Sequence, residues 1–324
     1  MANSIFKEKK LLKFNIMATE NFIVASLPEY VQNNREVLVN KFGLLGNGTR
    51  QRISIQTGVK GKAALNYLAM DVVLQDGAEC AFTPEGTAEL TNREIETAMV
   101  KVDMEFCPRN LRGKYAEYLI RINAVEEGKK LPFEEYIMDY IIDSINDRIE
   151  TMMWQGDTTL TGDNTKKWID GFLKIAKAEE GVVDVAIATG KSAYDAILDV
   201  YMAMPEGILE MSPEIYVSPA LFRKFVQEMV AKNWYQISVG APQDEFVLPG
   251  TDVKVVKTKG LAGTQNIVGT FPKNLFYATD MEGDEEAIDL WYSKDDRVFK
   301  LEALWNSGVQ IAYPDMVVLG TIAA

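Results

Sequence analysis

The sequence predicts a mixed α+β protein, and three patterns carry that prediction. Within residues 131–155, isoleucine recurs at every fourth position from 137 to 149, which is typical of a long amphipathic helix. Helical and strand patterns alternate through residues 182–268, which indicates an α/β region. A period of two through residues 299–305 predicts a strand with one buried face. With 324 residues, the chain can bury a sizeable core in one elaborate domain or two interlocked ones.

In the early part of the chain, a helical sequence pattern is followed by strand-like patterns. Residues 27–42 predict a helix, which the glycines at 43, 46 and 48 end. Strands are predicted at 52–56, 67–74 and 98–106, with turn signals at Asp76-Gly77 and Pro84-Glu85-Gly86. Because this segment has few apolar residues for a core of its own, we expect a projecting two-stranded loop.

The long helix is the clearest element in the sequence. Pro132 suits its first turn and Gly156 ends it, and about 24 residues at 1.5 Å each give a helix of roughly 36 Å. Its apolar stripe consists of Ile137, Ile141, Ile145 and Ile149, widened by Tyr140 and Met152. This length suits a spine against which a sheet can pack.

The second half of the chain predicts an α/β region followed by long strands. Strands are expected at 182–188, 214–217, 253–255 and 266–268, with helices at 192–204 and after Ser218-Pro219. The strand at 299–305 is predicted to turn at Asn306-Ser307-Gly308 and continue through residue 313. If these late strands pair beside the early helix, the α/β region is an insertion.

Composition excludes several kinds of chemistry. The chain has no histidine, which removes serine–histidine and cysteine–histidine mechanisms and zinc sites that need imidazole. Cys80 and Cys107 are too few for a disulfide framework, and we expect two buried thiols. A net charge of −13 argues against sequence-specific DNA binding. The longest apolar runs are too short for a membrane span, so no membrane partner is expected.

The motifs that suggest ligands do not meet their structural requirements. Gly190-Lys191-Ser192 follows a predicted strand, but position 185 is valine where a phosphate-binding loop needs glycine, so Ser192 is interpreted as a helix cap. The acidic run at 280–296 does not match a calcium loop and is interpreted as solvated. We therefore predict no catalytic residue, no cofactor and no metal site.

Taken in order, these segments resemble the major capsid proteins of tailed bacteriophages, which share the Hong Kong 97-like fold. Gly156-Asp157 and Asp170-Gly171-Phe172-Leu173 resemble a family turn after the long helix, with Thr158 in place of a second glycine. Residues 215–219, 248–250 and 253–255 resemble its axial domain. Residues 269–271 and 275–277 resemble its Gly-Asp-Phe segment, with Thr270 in place of the aspartate, and 291–314 its closing strands. Residues 58–67 are similar to capsid proteins of phages of gut bacteria.

The resemblance implies a domain organisation. It places an N-terminal arm at 1–44 and an extended loop at 45–100. A peripheral domain would comprise 101–180 and 285–312, with the spine helix at 132–155. An axial α/β domain would comprise 181–284 and 313–324.

The resemblance also implies a structural role and no enzymatic activity. Copies of the chain would form the hexamers and pentamers of an icosahedral shell around double-stranded DNA, held without sequence specificity. Portal and scaffolding proteins would be partners during assembly in the host cytoplasm, and the final location would be the virion capsid. The candidates for contacts between subunits are Lys60, Lys62, Tyr67, Trp154 and Trp234.

Two alternatives remain open from the sequence. A bacterial nanocompartment shell of the encapsulin type would use the same fold to enclose an enzyme. A carboxylate-based hydrolase would need two carboxylates roughly 5 to 10 Å apart in a pocket. With 47 acidic residues such pairs arise by chance, and no pair stands out in the sequence.

Overall fold

The computed structural model describes residues 26–39, 41, 48–71, 73–74, 87–107, 133–232, 244–280 and 288–323. The chain divides into two compact units. The first unit comprises Met1–Lys41, Lys101–Asp143 and Gly283–Leu304, and the second comprises Phe42–Val100, Ser144–Glu282 and Trp305–Ala324.

Helices and strands of the described residues are numbered in chain order. The helices are α1 (Ser26–Asn33), α2 (Arg35–Val39), α3 (Phe133–Gln155), α4 (Phe172–Ala178), α5 (Ala193–Met202), α6 (Glu206–Leu209) and α7 (Pro219–Ala231). The strands are β1 (Ser54–Gln56), β2 (Lys62–Asp71), β3 (Thr87–Glu96), β4 (Ala98–Phe106), β5 (Val183–Ile187), β6 (Glu214–Val217), β7 (Glu245–Val247), β8 (Lys254–Lys257), β9 (Asn266–Thr270), β10 (Leu275–Thr279), β11 (Ile288–Ser293), β12 (Val298–Ile311) and β13 (Val318–Ile322).

In the first unit, the early helix packs beside a late strand. The single helix predicted at 27–42 is two short helices, α1 and α2, that meet at Asn34. Leu27 and Val31 are buried, and the Arg35 guanidinium forms an ion pair of 2.7 Å with Asp289 on β11. Strand β11 pairs antiparallel with residues 298–303 of β12. The Arg35–Asp289 ion pair joins residues 254 positions apart in the chain.

The long helix α3 confirms the predicted apolar stripe and corrects one of its members. The four isoleucines are at most 8% exposed, and 23 residues give a length of about 35 Å. Tyr140, predicted to widen the stripe, is 74% exposed. The stripe widens on the other side, where Met138 and Ile142 are buried, whereas Tyr140 shares its side with the exposed Asp143.

The α/β region of the second unit is a six-stranded sheet in the order β5-β13-β9-β6-β8-β7. Helices α5 and α7 pack against it around a core that includes Ile197, Ile215 and Phe225. The predicted caps are confirmed: the Ser192 and Ser218 hydroxyls accept hydrogen bonds from backbone amides in the first turns of α5 and α7. Strand β5 is half-buried, not buried as predicted, because it lies at the sheet edge.

Strand β12 passes without a break through the predicted turn at 306–308. Asp280 accepts a hydrogen bond of 2.7 Å from the Asn306 backbone amide and a second one from its side chain. A Cβ atom on Gly308 would lie 2.2 Å from the Glu96 carbonyl oxygen, so glycine is needed there for close approach. Ser307 is buried. The turn prediction was therefore wrong, because long-range contacts override the local preference of these residues.

The loop that joins α3 and α4, residues 156–171, is called here the connecting loop. Gly156 and Gly171 meet at its base, where the Gly171 amide donates to the Gly156 carbonyl at 2.9 Å. Lys174 forms ion pairs of 2.7 Å with both Asp157 and Asp170. Hydrogen bonds from Lys174 and Thr159 lower the pKa of Asp157 to about 2. The loop base is thus fixed by charge as well as by close backbone packing.

A buried polar network connects α3 with the segment that leads into β1. The Thr49 hydroxyl donates to the Glu150 carboxylate at 3.1 Å and accepts from the Trp154 indole nitrogen at 2.9 Å. The Arg50 guanidinium donates to Asn146 at 2.6 Å and lies 5.9 Å from the ring centre of Tyr277. Burial raises the pKa of Glu150 and lowers that of Arg50, so desolvation outweighs their mutual attraction.

Replacement of Arg50 by methionine is expected to lower the free energy of unfolding by about 1–3 kcal/mol, because it removes the buried hydrogen bond to Asn146 and a positive charge that attracts Glu150. The double variant R50M/E150Q is expected to recover part of this loss. Urea unfolding of unassembled chain measures both values. Lys62→Met, which removes a solvent-exposed ion pair, is the control and should change stability little. Equal losses in the single and double variants would contradict the proposed coupling.

Asp157→Asn is expected to lower the thermal midpoint of unfolding at pH 7 by more than it does at pH 2. The folded-state pKa of Asp157 lies below its ordinary value of 3.8, so its stabilising effect is complete above about pH 4 and is lost as pH falls toward 2. Midpoints of both proteins at several pH values between 2 and 7 test this. Asp184→Asn, at an exposed position on β5, is the control. A pH-independent difference would contradict the prediction.

Candidate assembly surface

Strands β2 and β3 form a two-stranded sheet of their own. All ten residues of β2 pair antiparallel with β3, from Lys62 opposite Glu96 to Asp71 opposite Thr87. This agrees with the two-stranded loop expected from the sequence. Strand β3 was missed in the sequence because Thr87–Glu96 is polar and lacks a strand-like apolar pattern.

The base of this hairpin, residues 59–65 and 93–97, is called here the hairpin root. Val59 and Ile95 are buried there against Ala278 of β10. The backbone amides of Gly61 and Thr97 and the Thr97 hydroxyl close the root through hydrogen bonds of 2.7 to 3.0 Å. A small apolar cluster with β10 and a ring of hydrogen bonds between Gly61 and Thr97 therefore hold the hairpin root in place.

Charged and polar side chains fix the root further. Arg93 forms a bidentate ion pair with Glu179, just beyond the end of α4, in which the longer contact is 3.4 Å. The Gln310 side chain on β12 donates to the Glu94 carbonyl at 2.8 Å. These partners lie 86 and 216 residues away in the chain, so no local sequence signal points to them. They hold the hairpin root against the end of α4 and against β12.

The structure distributes the five predicted contact residues among different environments. Lys60 is exposed at the root. Lys62 is exposed but ion-paired with Glu94 and Glu96, and its hydrogen bond to Glu96 raises its pKa. Tyr67 lies on β2 opposite Thr91. Trp234 falls outside the described residues.

Trp154 is fully buried, with its ring 5.3 Å from Phe172 and 5.2 Å from Tyr216. A Cβ atom on Gly260 would lie 2.2 Å from the Trp154 ring. A side chain with no exposed surface in the isolated chain offers no area to a neighbouring copy. The environment of Trp154 is therefore that of a core residue.

The described residues hold no group of three metal-ligating side chains that could bind an ion. Within the acidic run, Asp280 is buried against Asn306, and 281–287 lie outside the described residues. Cys80 and Cys107 were both expected to be buried thiols. Cys107 is a half-buried free thiol, and Cys80 is not among the described residues. Among the residues that the structure describes, no helix has the length and apolarity needed to cross a bilayer.

The solved structures contain 196 chains that match this one, among them the following three. A chain of the satellite phage P4 procapsid, which includes the size determination protein, has a TM-score of 0.57 at 11% identity, with 97% of this chain and 98% of that chain covered. A chain of Gordonia phage Cozz has a TM-score of 0.57 at 12% identity, covering 85% and 86%. A chain from the capsid of Myoviridae phage XM1 has a TM-score of 0.50 at 11% identity, covering 84% and 90%.

No protein-family model matches the sequence, and no curated protein matches it. The evidence for the fold is therefore structural. It consists of the long helix, the two-stranded hairpin and the six-stranded sheet with its two packed helices, together with a likeness that spans nearly the whole chain. This confirms the fold expected from the sequence: the chain has the Hong Kong 97-like fold of phage major capsid proteins.

Proposed function

We propose that this chain is a major capsid protein, a structural subunit that assembles with copies of itself into an icosahedral shell. The observation that carries the proposal is the fold, which covers 97% of the chain in its likeness to a procapsid chain. The hairpin adds to it, because β2 and β3 form a two-stranded sheet of their own. A two-stranded hairpin is marginally stable alone, and a neighbouring subunit can supply the surface that it lacks.

The shell would consist of hexamers and pentamers enclosing double-stranded DNA. A net charge of −13 suits a container that does not adhere to its contents. Portal and scaffolding proteins would assist assembly in the host cytoplasm. The absence of histidine throughout the sequence supports a structural role without enzymatic activity.

In this proposal the domains keep the bounds given by the resemblance. Residues 1–44 form the arm and 45–100 the extended loop, while 101–180 with 285–312 form the peripheral domain. Residues 181–284 with 313–324 form the axial domain. The exposed Lys60 and the hairpin strand that carries Tyr67 are the contact candidates that the geometry favours.

A nanocompartment shell remains the alternative within the same fold. The genes beside the coding sequence distinguish the two: portal and terminase genes support a capsid, and a cargo-enzyme gene supports a nanocompartment. No observation on the described residues favours a carboxylate-based hydrolase.

Purified full-length chain is expected to form rings or closed shells of many copies, alone or with its scaffold. Analytical sedimentation with negative-stain microscopy detects them. The physical reason is that large closed assemblies arise from repeated contacts among identical chains. A chain that stays monomeric at high concentration with scaffold supplied would contradict the proposal.

The ion pair between Arg93 and Glu179 is expected to matter more for assembly than for folding. Arg93→Glu places two like charges at the hairpin root, so the hairpin leaves its fixed direction and the yield of shells falls several-fold. The thermal midpoint should change by only a few degrees, because partly exposed ion pairs contribute about 0–1 kcal/mol.

The charge-swapped variant R93E/E179R is the matched control and is expected to recover assembly. Sedimentation measures the yield of each variant, and calorimetry measures its midpoint. Full assembly by Arg93→Glu alone would show that the root does not need this ion pair.

A further inference from the structure

Two buried oxygen atoms on strand β6 have no hydrogen-bond partner among the residues that the structure describes. They are the Oε2 atom of Glu214 and the hydroxyl oxygen of Tyr216. Tyr216 is fully buried, and Glu214 is 6% exposed. Buried polar groups are hydrogen-bonded in nearly all folded proteins, to protein atoms or to ordered water, because an unpaired one is costly. These two oxygens therefore point to a bound molecule.

Both oxygens belong to side chains on the same side of the six-stranded sheet. Ile215 and Val217 of β6 lie in the core with α5 and α7, so Glu214 and Tyr216 face the opposite side. There the ring of Tyr216 lies 5.2 Å from the ring of Trp154. Burial raises the pKa of the Tyr216 hydroxyl well above its ordinary value, and the charge of the nearby Glu214 raises it further. The two groups are thus neighbours in a place that bulk solvent does not reach.

The charges around Glu214 favour a neutral molecule at this place. The Oε1 atom of Glu214 accepts a hydrogen bond of 2.8 Å from Arg52, which also donates to Glu245 on β7 at 2.6 Å. Lys254 on β8 lies opposite Glu214 in the sheet, and its ammonium is 3.5 Å from Glu245. Two cations here balance two carboxylates, so a metal ion would be repelled by Arg52 and an anion by Glu214. Water meets neither obstacle.

We propose that one internal water molecule bridges the Tyr216 hydroxyl and the Glu214 carboxylate. The Tyr216 O–H donates to the water oxygen, and the water donates to Oε2 of Glu214. Internal waters in folded proteins occupy such positions, each bound by two to four polar groups that otherwise lack partners. The bridge completes a hydrogen-bonded path from Tyr216 through Glu214 and Arg52 to Glu245. This path connects the segment before β1, which carries Arg52, with strands β6 and β7.

A map of the full-length chain that resolves ordered water tests the proposal directly. A single peak is expected at hydrogen-bonding distance, about 2.6–3.2 Å, from both oxygen atoms. A direct hydrogen bond between Tyr216 and Glu214 overturns the proposal, and so do two oxygens with no peak between them. Density for an ion or for a larger molecule also overturns it.

Replacement of Tyr216 by phenylalanine tests the proposal independently, through the sign of its effect. If water binds the hydroxyl, the variant is expected to have an unfolding equilibrium constant about fivefold higher, which corresponds to roughly 1 kcal/mol. If the hydroxyl is buried without any partner, its removal leaves the protein equally stable or more stable, and the proposal is overturned. Urea unfolding of the unassembled chain measures this constant.

Tyr277→Phe is the matched control. Tyr277 is also fully buried, but its hydroxyl accepts a hydrogen bond of 3.4 Å from Ser307. Both variants are expected to lose stability, whereas only Tyr216→Phe is expected to lose the water peak beside Glu214. A Tyr216→Phe protein that keeps this peak shows that the hydroxyl does not hold the water, which overturns the bridge.

Discussion

The buried side chains of Arg50, Glu150 and Thr49 impose a constraint on the surrounding structure. Two ionisable groups in a core are costly unless their partners are fixed, so the segment before β1 has to meet the long helix in one arrangement. Gly48 and Gly260 leave the room for this meeting, because a Cβ atom on either one would clash with Glu150 or Trp154. Strand β1 follows this segment and the hairpin follows β1, so the network also limits where the hairpin starts.

The fold could be predicted where the signal is periodic or local. The isoleucine stripe of α3, the capping serines and the short strand Glu214–Val217 all depend on neighbours a few residues away. The predictions were wrong where contacts with distant residues determine the local conformation. Asn306 and Gly308 have turn composition, yet Asp280 and the Glu96 carbonyl hold them in a strand. Tyr140 was misplaced because the spacing of the isoleucines does not show on which side the stripe widens.

The candidate surface was only partly visible in the sequence. The small number of apolar residues in the segment at 50–106 predicted a two-stranded loop, and this prediction could be made from the sequence alone. The hairpin root depends on Arg93, Glu179 and Gln310, whose spacing in the chain carries no pattern. Trp168 is one of five tryptophans in the sequence, and only the structure shows that it is 44% exposed whereas Trp154 is buried.

The position of β13 has a consequence for how the protein folds during synthesis. Residues 318–322 lie between β5 and β9, so the six-stranded sheet lacks an inner strand until this segment is available. Until then, both neighbouring strands present unpaired edges, which are prone to pair with other chains. Contacts between residues 318–322 and β5 span more than 130 positions, and such long-range pairing folds slowly. Loss of this short segment would therefore cause aggregation of the α/β region and not merely the absence of one strand.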